Sequence, residues 1–142
     1  MFVRDILKQK GNDIITIVID DYLADAVALL AKWRIGALPV LSSLGELNGI
    51  ISERDIIRAL ANNPQTLSDR IANHMTKNVI TCTTDFPVTD VMSIMTKGRF
   101  RHLPVVDGQK LIGIISISDV VKAHIDKIVE DNKNMRSYIG SA

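Results

Sequence analysis

The strongest constraint on this chain is that it repeats itself. Residues 35–40 (Ile-Gly-Ala-Leu-Pro-Val) match residues 100–105 (Phe-Arg-His-Leu-Pro-Val). Residues 47–55 (Leu-Asn-Gly-Ile-Ile-Ser-Glu-Arg-Asp) match residues 111–119 (Leu-Ile-Gly-Ile-Ile-Ser-Ile-Ser-Asp). Upstream, Leu23, Ala26, Val27 and Leu30 match Val88, Val91, Met92 and Met95, and Thr16 matches Thr81. The offset shortens by one residue only between the two matched blocks, in the turn around Gly45 and Gly108. A surface turn is where a length change costs least. A duplicated unit of roughly 45 residues buries too little surface to be safe alone, so the two copies are expected to pack on each other.

Each copy reads β-α-β-β-α. Residues 14–18 and 79–83 are rich in Ile, Val and Thr and are expected as strands. The apolar positions 23, 26, 27, 30 and 88, 91, 92, 95 follow the i, i+3, i+4, i+7 spacing of one helical face. Asp25 and Asp90 fall in the first turns, where the helix dipole favours an anion. Strands are expected at 38–41 and 103–106, returning through glycine turns into 47–51 and 111–115. Helices follow at about 53–61 and from 117 to about 138. A polar break at 62–66 leads into a short helix starting near Thr66. The expected fold class is therefore α/β of the α+β type, with two repeats packed in pseudo-two-fold fashion. The expected division is 1–64 for the first repeat, 65–78 for the connection, 79–126 for the second repeat and 127–142 for a C-terminal helical extension and tail.

Composition narrows the function. Apolar residues make up 46% of the 142 residues, enough for a true core. No apolar run approaches the ~18 residues of a membrane span, and the N-terminus lacks the apolar run of a secretory signal. A soluble cytoplasmic protein with no membrane partner is the expectation. Cys82 is the single cysteine, so no intrachain disulfide can form, and zinc-ligand spacings are lacking; no metal is expected. A formal net charge of +1 gives no global attraction to nucleic acid, and Arg99, Arg101 and His102 are a thin basis for such binding. Phosphate loops, dinucleotide fingerprints and nucleophile elbows are also missing, so no enzymatic reaction is indicated.

The most pointed local feature is Gly-Ile-Ile-Ser-x-x-Asp at 49–55 and again at 113–119. One reading is a capping box, with Ser52 and Ser116 as N-caps and Asp55 and Asp119 reaching back. The other is ligand contact. The motif follows a buried strand and opens a helix, where free amides suit an anion and a carboxylate suits a ribose diol. Both readings are compatible with one structure. The second feature is the cluster Arg99, Arg101 and His102, whose guanidinium forks suit phosphate oxygens. The first copy has Gly36 and Ala37 where the second has Arg101 and His102, and Arg54 stands where the second copy has Ser118. Any two sites built from these copies must therefore be unequal. Lone His74 and His124 read as surface or satisfied groups, and Cys82 as a small core residue.

These residues resemble a tandem pair of cystathionine-β-synthase (CBS) domains, the arrangement called a Bateman module. The resemblance rests on the Leu-Pro-Val and Gly-Ile-Ile-Ser-x-x-Asp pairs and on the lead-in at 74–81 (His-Met-Thr-Lys-Asn-Val-Ile-Thr). It covers nearly the whole chain. It implies a regulatory module that binds adenosine-containing ligands (AMP, ADP, ATP, NADH or S-adenosylmethionine) in clefts that borrow from both repeats. By that pattern one cleft uses Thr81, Phe100, Arg101 and His102 with Ser52, Arg54 and Asp55. The other uses Thr16, Ile35, Gly36 and Ala37 with Ser116 and Asp119, with His102 reaching over. The resemblance also implies a flat homodimer joined through apolar helix faces and a downstream protein that receives the signal. The alternative is an interaction scaffold of the same fold without a working nucleotide site.

Overall fold

Alternating helix and strand signals become two small sheets, each with its own layer of helices. The computed structural model describes residues 1–11 and 13–140. Residues 141–142 of the expected tail lie outside the described residues. The elements in order are α1 (Val3–Lys10), β1 (Ile17–Val18), α2 (Leu23–Trp33), β2 (Ala37–Leu41), β3 (Leu47–Ser52) and α3 (Glu53–Asn62). Two short 3₁₀ turns, Pro64–Ser68 and Ile71–Asn73, form the connection. The second half follows as α4 (Val88–Gly98), β4 (His102–Asp107), β5 (Lys110–Ser116) and α5 (Ile117–Gly140).

The repeat is explicit in the sheet register. Ala37 lies opposite Ser52 and Pro39 opposite Ile50, just as His102 lies opposite Ser116 and Pro104 opposite Ile114. Both hairpins are antiparallel and both carry an irregularity at the same relative place, between Val40 and Leu41 and between Val105 and Val106. The leading strands are shorter than their composition predicts. The segment at 14–18 pairs only over Ile17–Val18, in parallel with β2. The segment at 79–83 contributes a single parallel bridge, Cys82 to Val105. The reason lies in the Leu-Pro-Val motif. Extending either ladder upstream requires an N–H from Pro39 or Pro104, and proline has none. Cys82 donates to the Pro104 carbonyl (2.9–3.0 Å bonds on both sides of the bridge) and pairing stops there.

The core divides into two clusters that follow the repeats. Leu23, Ala26, Leu38, Val40, Ile51 and Ile56 fill the first. Val88, Val91, Met95, Leu103, Val105, Ile115 and Val120 fill the second. Val27, expected on the core face of α2, is exposed instead, because the helix meets the core through Leu23, Ala26 and Leu30 with Leu29 packed beside them. The lead-in segments cross over. Ile71, from the connection, is buried in the first cluster, while Val3 and Ile6 of α1 are buried in the second. Backbone bonds fix this exchange: Val3 donates to Phe86 (2.9 Å), and Leu23 donates to Asp69 (2.9 Å). Helix α1 stands ahead of the expected elements, and its Val3, Ile6 and Leu7 carry helical spacing.

Gly49 and Gly113 make the crossover possible. A Cβ at Gly49 would stand 2.7 Å from the Thr76 carbonyl oxygen and the Met75 sulfur, and one at Gly113 would stand 2.6 Å from Leu7. Each glycine lets the other half's lead-in lie against its strand.

Candidate functional site: a cleft between the repeats

Helix α3 starts where β3 ends, and its first turn is held by a complete capping box. Ser52 N–H donates to Asp55 Oδ2 at 2.9 Å, the Ser52 hydroxyl donates to the same oxygen at 3.0 Å, and Asp55 N–H donates to Ser52 Oγ at 3.3 Å. Both bonds to the carboxylate engage Oδ2. The other oxygen, Oδ1, has only a loose ion pair with the exposed Arg58 guanidinium at 3.8 Å. The capping role therefore leaves one carboxylate oxygen of Asp55 free to accept hydroxyl donors.

Asp55 lines a cavity of about 350 Å³ that is walled from three directions. Gly36, Ile50, Ser52, Glu53, Arg54, Asp55 and Arg58 come from the first repeat, and Thr76, Asn78 and Ile80 from the connection and lead-in. Arg99, Phe100, Arg101 and His102 come from the loop between α4 and β4. A volume of this order suits a small organic ligand. Four arginines face two carboxylates, so the walls carry an excess of positive charge. Ile50, Ile80 and Phe100 supply the apolar surface.

Both loops that meet at this cleft leave a helix in the same unusual way. Arg34 at the end of α2 and Arg99 at the end of α4 adopt the left-handed conformation, with φ of 52° and 55°. This ends each helix abruptly and lets the chain turn into the following strand, with Gly36 and His102 brought to the meeting point of the repeats. Glu53 N–H then donates to the Gly36 carbonyl (3.0 Å), and Ile117 N–H to the Arg101 carbonyl (2.8 Å), tying each loop to the following helix start. The two loops touch: a Cβ on Gly36 would lie 3.1 Å from His102 Cε1. His102 is half-buried at this meeting point. Burial first, and then the neighbouring Lys10 ammonium, push its imidazole below the ordinary histidine range, against the opposing pull of Glu53 and Asp119.

The equivalent junction in the second repeat is built alike and filled differently. Ser116 N–H donates to Asp119 Oδ2 at 2.8 Å and Asp119 N–H to Ser116 Oγ at 3.2 Å. Here Lys10, the last residue of α1, donates to Asp119 Oδ2 at 2.7 Å and to the Ile114 carbonyl at 2.7 Å. Burial disfavours the Asp119 carboxylate, but the Lys10 ammonium and the Ser116 amide outweigh it and hold the group below the usual carboxylate range. The depression at this junction is about 130 Å³ and is lined by Ile6, Gln9, Lys10, Asp119, Lys122 and Ala123.

The structure thus brings Gly36, Ser52, Arg54, Asp55, Phe100, Arg101 and His102 to one cavity. Thr81 lines a separate depression with Lys77 and Val79. Ala37 is buried opposite Ser52, Ile35 packs on the first core, and Thr16 lies half-buried just ahead of β1. Thr76, Asn78, Ile80 and Arg58 line the cavity without having been singled out from the sequence. The crossing of the lead-in over Gly49, with Thr76 and Ile50 exchanging bonds of 2.9 and 3.0 Å, puts the first three there. Elsewhere, Cys82 is buried and its thiol is pushed up to about 11 by that burial. Among the described residues no group of three or more His, Cys, Asp or Glu side chains is arranged to hold a metal. No described helix is long and apolar enough to cross a membrane.

This architecture is known in other proteins. A profile of the CBS domain matches residues 3–62 and 69–126. The crystal structure of the CBS-domain containing protein ATU1752 from Agrobacterium tumefaciens superposes with a TM-score of 0.84 at 42% identity, covering 87% of this chain and 99% of that one. The CBS domain pair of protein MJ0100, solved in complex with 5-methylthioadenosine and S-adenosyl-L-methionine, gives a TM-score of 0.81 at 34% identity over 89% of this chain and 98% of that chain. A mitochondrial CBS domain-containing protein of Arabidopsis thaliana, CBSX3, is 33% identical over 96% of this chain and 71% of its own length. The chain belongs to the CBS-domain family and carries two CBS domains as an α+β pair.

Proposed function

We propose that the cleft between the two CBS domains binds an anionic adenine nucleotide and that the chain is a regulatory sensor rather than an enzyme. The observation that carries this reading is that Asp55, whose Oδ1 has only a loose partner, lines the same cavity as four arginines. A carboxylate oxygen with no strong partner accepts hydrogen bonds from a ribose diol, and arginine forks take phosphate oxygens. Arg54 and Arg101 are the phosphate ligands in this reading, Asp55 the ribose ligand, and Ile50, Ile80 and Phe100 the surface for the base. The binding of adenosine compounds by the MJ0100 pair supports the ligand class. The excess positive charge favours AMP, ADP or ATP, with NADH next, over the cationic sulfonium of S-adenosylmethionine.

The second junction is closed to a ligand as long as Lys10 occupies Asp119, so the two sites are unequal. In the same reading the chain acts as a homodimer in the cytoplasm and passes its signal to another protein. The single, buried Cys82 suits a reducing compartment. A thermal-shift panel of AMP, ADP, ATP, NADH, S-adenosylmethionine and adenosine tests the ligand. Binding at a hundredfold excess over Kd stabilises the fold by about 2.7 kcal/mol. The largest shift is expected from a phosphorylated ligand; no shift with any member leaves the scaffold reading in its place.

A further inference from the structure

Helix α5 continues well past the second CBS domain and carries an exposed apolar seam. Its inward residues, Val120 and Ala123, are buried in the second core. A second line of side chains, Val121, Ile125, Ile128, Met135 and Ile139, lies about 130° around the helix from that face at 100° per residue. Each of these five is between 47% and 67% exposed. With Asn132 included, the line steps by four, three, four, three and four residues, the spacing of a heptad seam. We propose that α5 pairs with α5 of a second copy of this chain, parallel and in register, as a short two-stranded coiled coil along Val121, Ile125, Ile128, Asn132, Met135 and Ile139.

Two features beyond the apolar line select that partner and direction. Asn132 interrupts the series at the position equivalent to Ile125 and Ile139. In a parallel pair it meets its own copy and the two amides satisfy each other; in an antiparallel pair it faces an apolar residue. The flanking charges agree. Asp131 precedes the seam and Arg136 follows it five residues later, so parallel pairing sets each carboxylate against the partner copy's guanidinium. Antiparallel pairing instead gathers Arg136 and Lys122 on one side of the seam without a carboxylate. A seam of three heptads is too short to hold as free peptides, but the start of the seam lies beside Val120 and Ala123, which anchor α5 in the second core. This interface rests on the homodimer of the proposed function and gives it a contact, and it does not depend on the nucleotide.

Single-cysteine cross-linking of the full chain tests it, because the native Cys82 is buried and its thiol is pushed up to about 11. Met135→Cys places a thiol on the seam and Ser137→Cys places one on the opposite side. Under a glutathione redox buffer the Met135→Cys chain is expected to form a disulfide-linked dimer about tenfold faster or more than the Ser137→Cys chain. Sedimentation velocity of Ile128→Asp is expected to show dimerisation weakened by about tenfold or more. Equal cross-linking at the two positions, no cross-link at Met135→Cys, or an unchanged dimer in Ile128→Asp overturns the proposal. The thermal shift with nucleotide is a separate readout on the same samples, so loss of one result does not imply loss of the other.

Discussion

Replacing Lys10 with alanine removes one side chain that joins the N-terminal helix to the second CBS domain. Its ammonium makes two contacts of 2.7 Å, one to Asp119 Oδ2 and one to the Ile114 carbonyl. The Lys10 and Asp119 side chains are 36% and 24% exposed, so solvent screens the pair and the ionic part contributes no more than about 1 kcal/mol. The carbonyl bond adds about 0.5–1 kcal/mol. Lys10→Ala is therefore expected to destabilise the fold by about 1–2 kcal/mol at neutral pH. For a chain of this size that is a fall of roughly 2–6 °C in Tm. The pH dependence distinguishes an ionic contact from lost packing. The Asp119 carboxyl is depressed in the folded chain, so its stabilising contribution is fully present above the ordinary value of 3.8 and is lost as pH falls through the lower folded value. Urea unfolding of both chains between pH 7 and pH 3 is the assay. The gap between wild type and variant is expected to hold at pH 7 and to narrow toward pH 3. A gap that is absent at pH 7, or that stays constant down to pH 3, refutes the role assigned to Lys10. Freeing Asp119 is also expected to allow a second, weaker nucleotide to bind, which calorimetric stoichiometry reads directly.

Other consequences follow from the same geometry. Asp55→Ala removes the α3 capping box and is expected to cost about 1 kcal/mol of stability while weakening AMP binding; a stability loss with unchanged AMP affinity by calorimetry assigns Asp55 to capping alone. Arg34→Gly relieves a left-handed residue at the end of α2 and is expected to raise stability by up to about 1 kcal/mol in urea titrations; a decrease contradicts the strain argument. Burial, with the Lys10 ammonium, holds the His102 imidazole below the ordinary 6.5. Its contribution is therefore present above pH 6.5 and lost as the pH falls below that value toward the folded one, and His102→Gln is expected to flatten the stability profile there.

Much of this was legible from residue order, and the failures share a physical cause. Repetition exposed the duplicate hairpins and helices because side-chain periodicity is a local property. Val27 was misplaced because a periodic face does not say how wide the contact with the core is. The leading strands were overestimated because pairing depends on a partner's N–H, and Pro39 and Pro104 withhold it. Asp55 and Arg101 were legible as cleft residues from their motifs. Lys10 was not, since its link to Asp119 spans most of the chain and nothing near either residue announces it. Thr76 and Asn78 were hidden for the same reason, although Gly49 marked the strand over which their segment crosses.

The central claim is that the cleft framed by Asp55 and Arg101 receives an adenine nucleotide. Backbone amide NMR during a titration with AMP addresses it residue by residue. Saturable shifts are predicted for Ser52 to Asp55, Thr76 to Ile80 and Arg99 to His102, with the amides of Ser116 and Asp119 little changed while Lys10 is in place. Shifts centred instead on Ser116 and Asp119, or a spectrum unmoved by AMP, ADP and ATP alike, contradict the account.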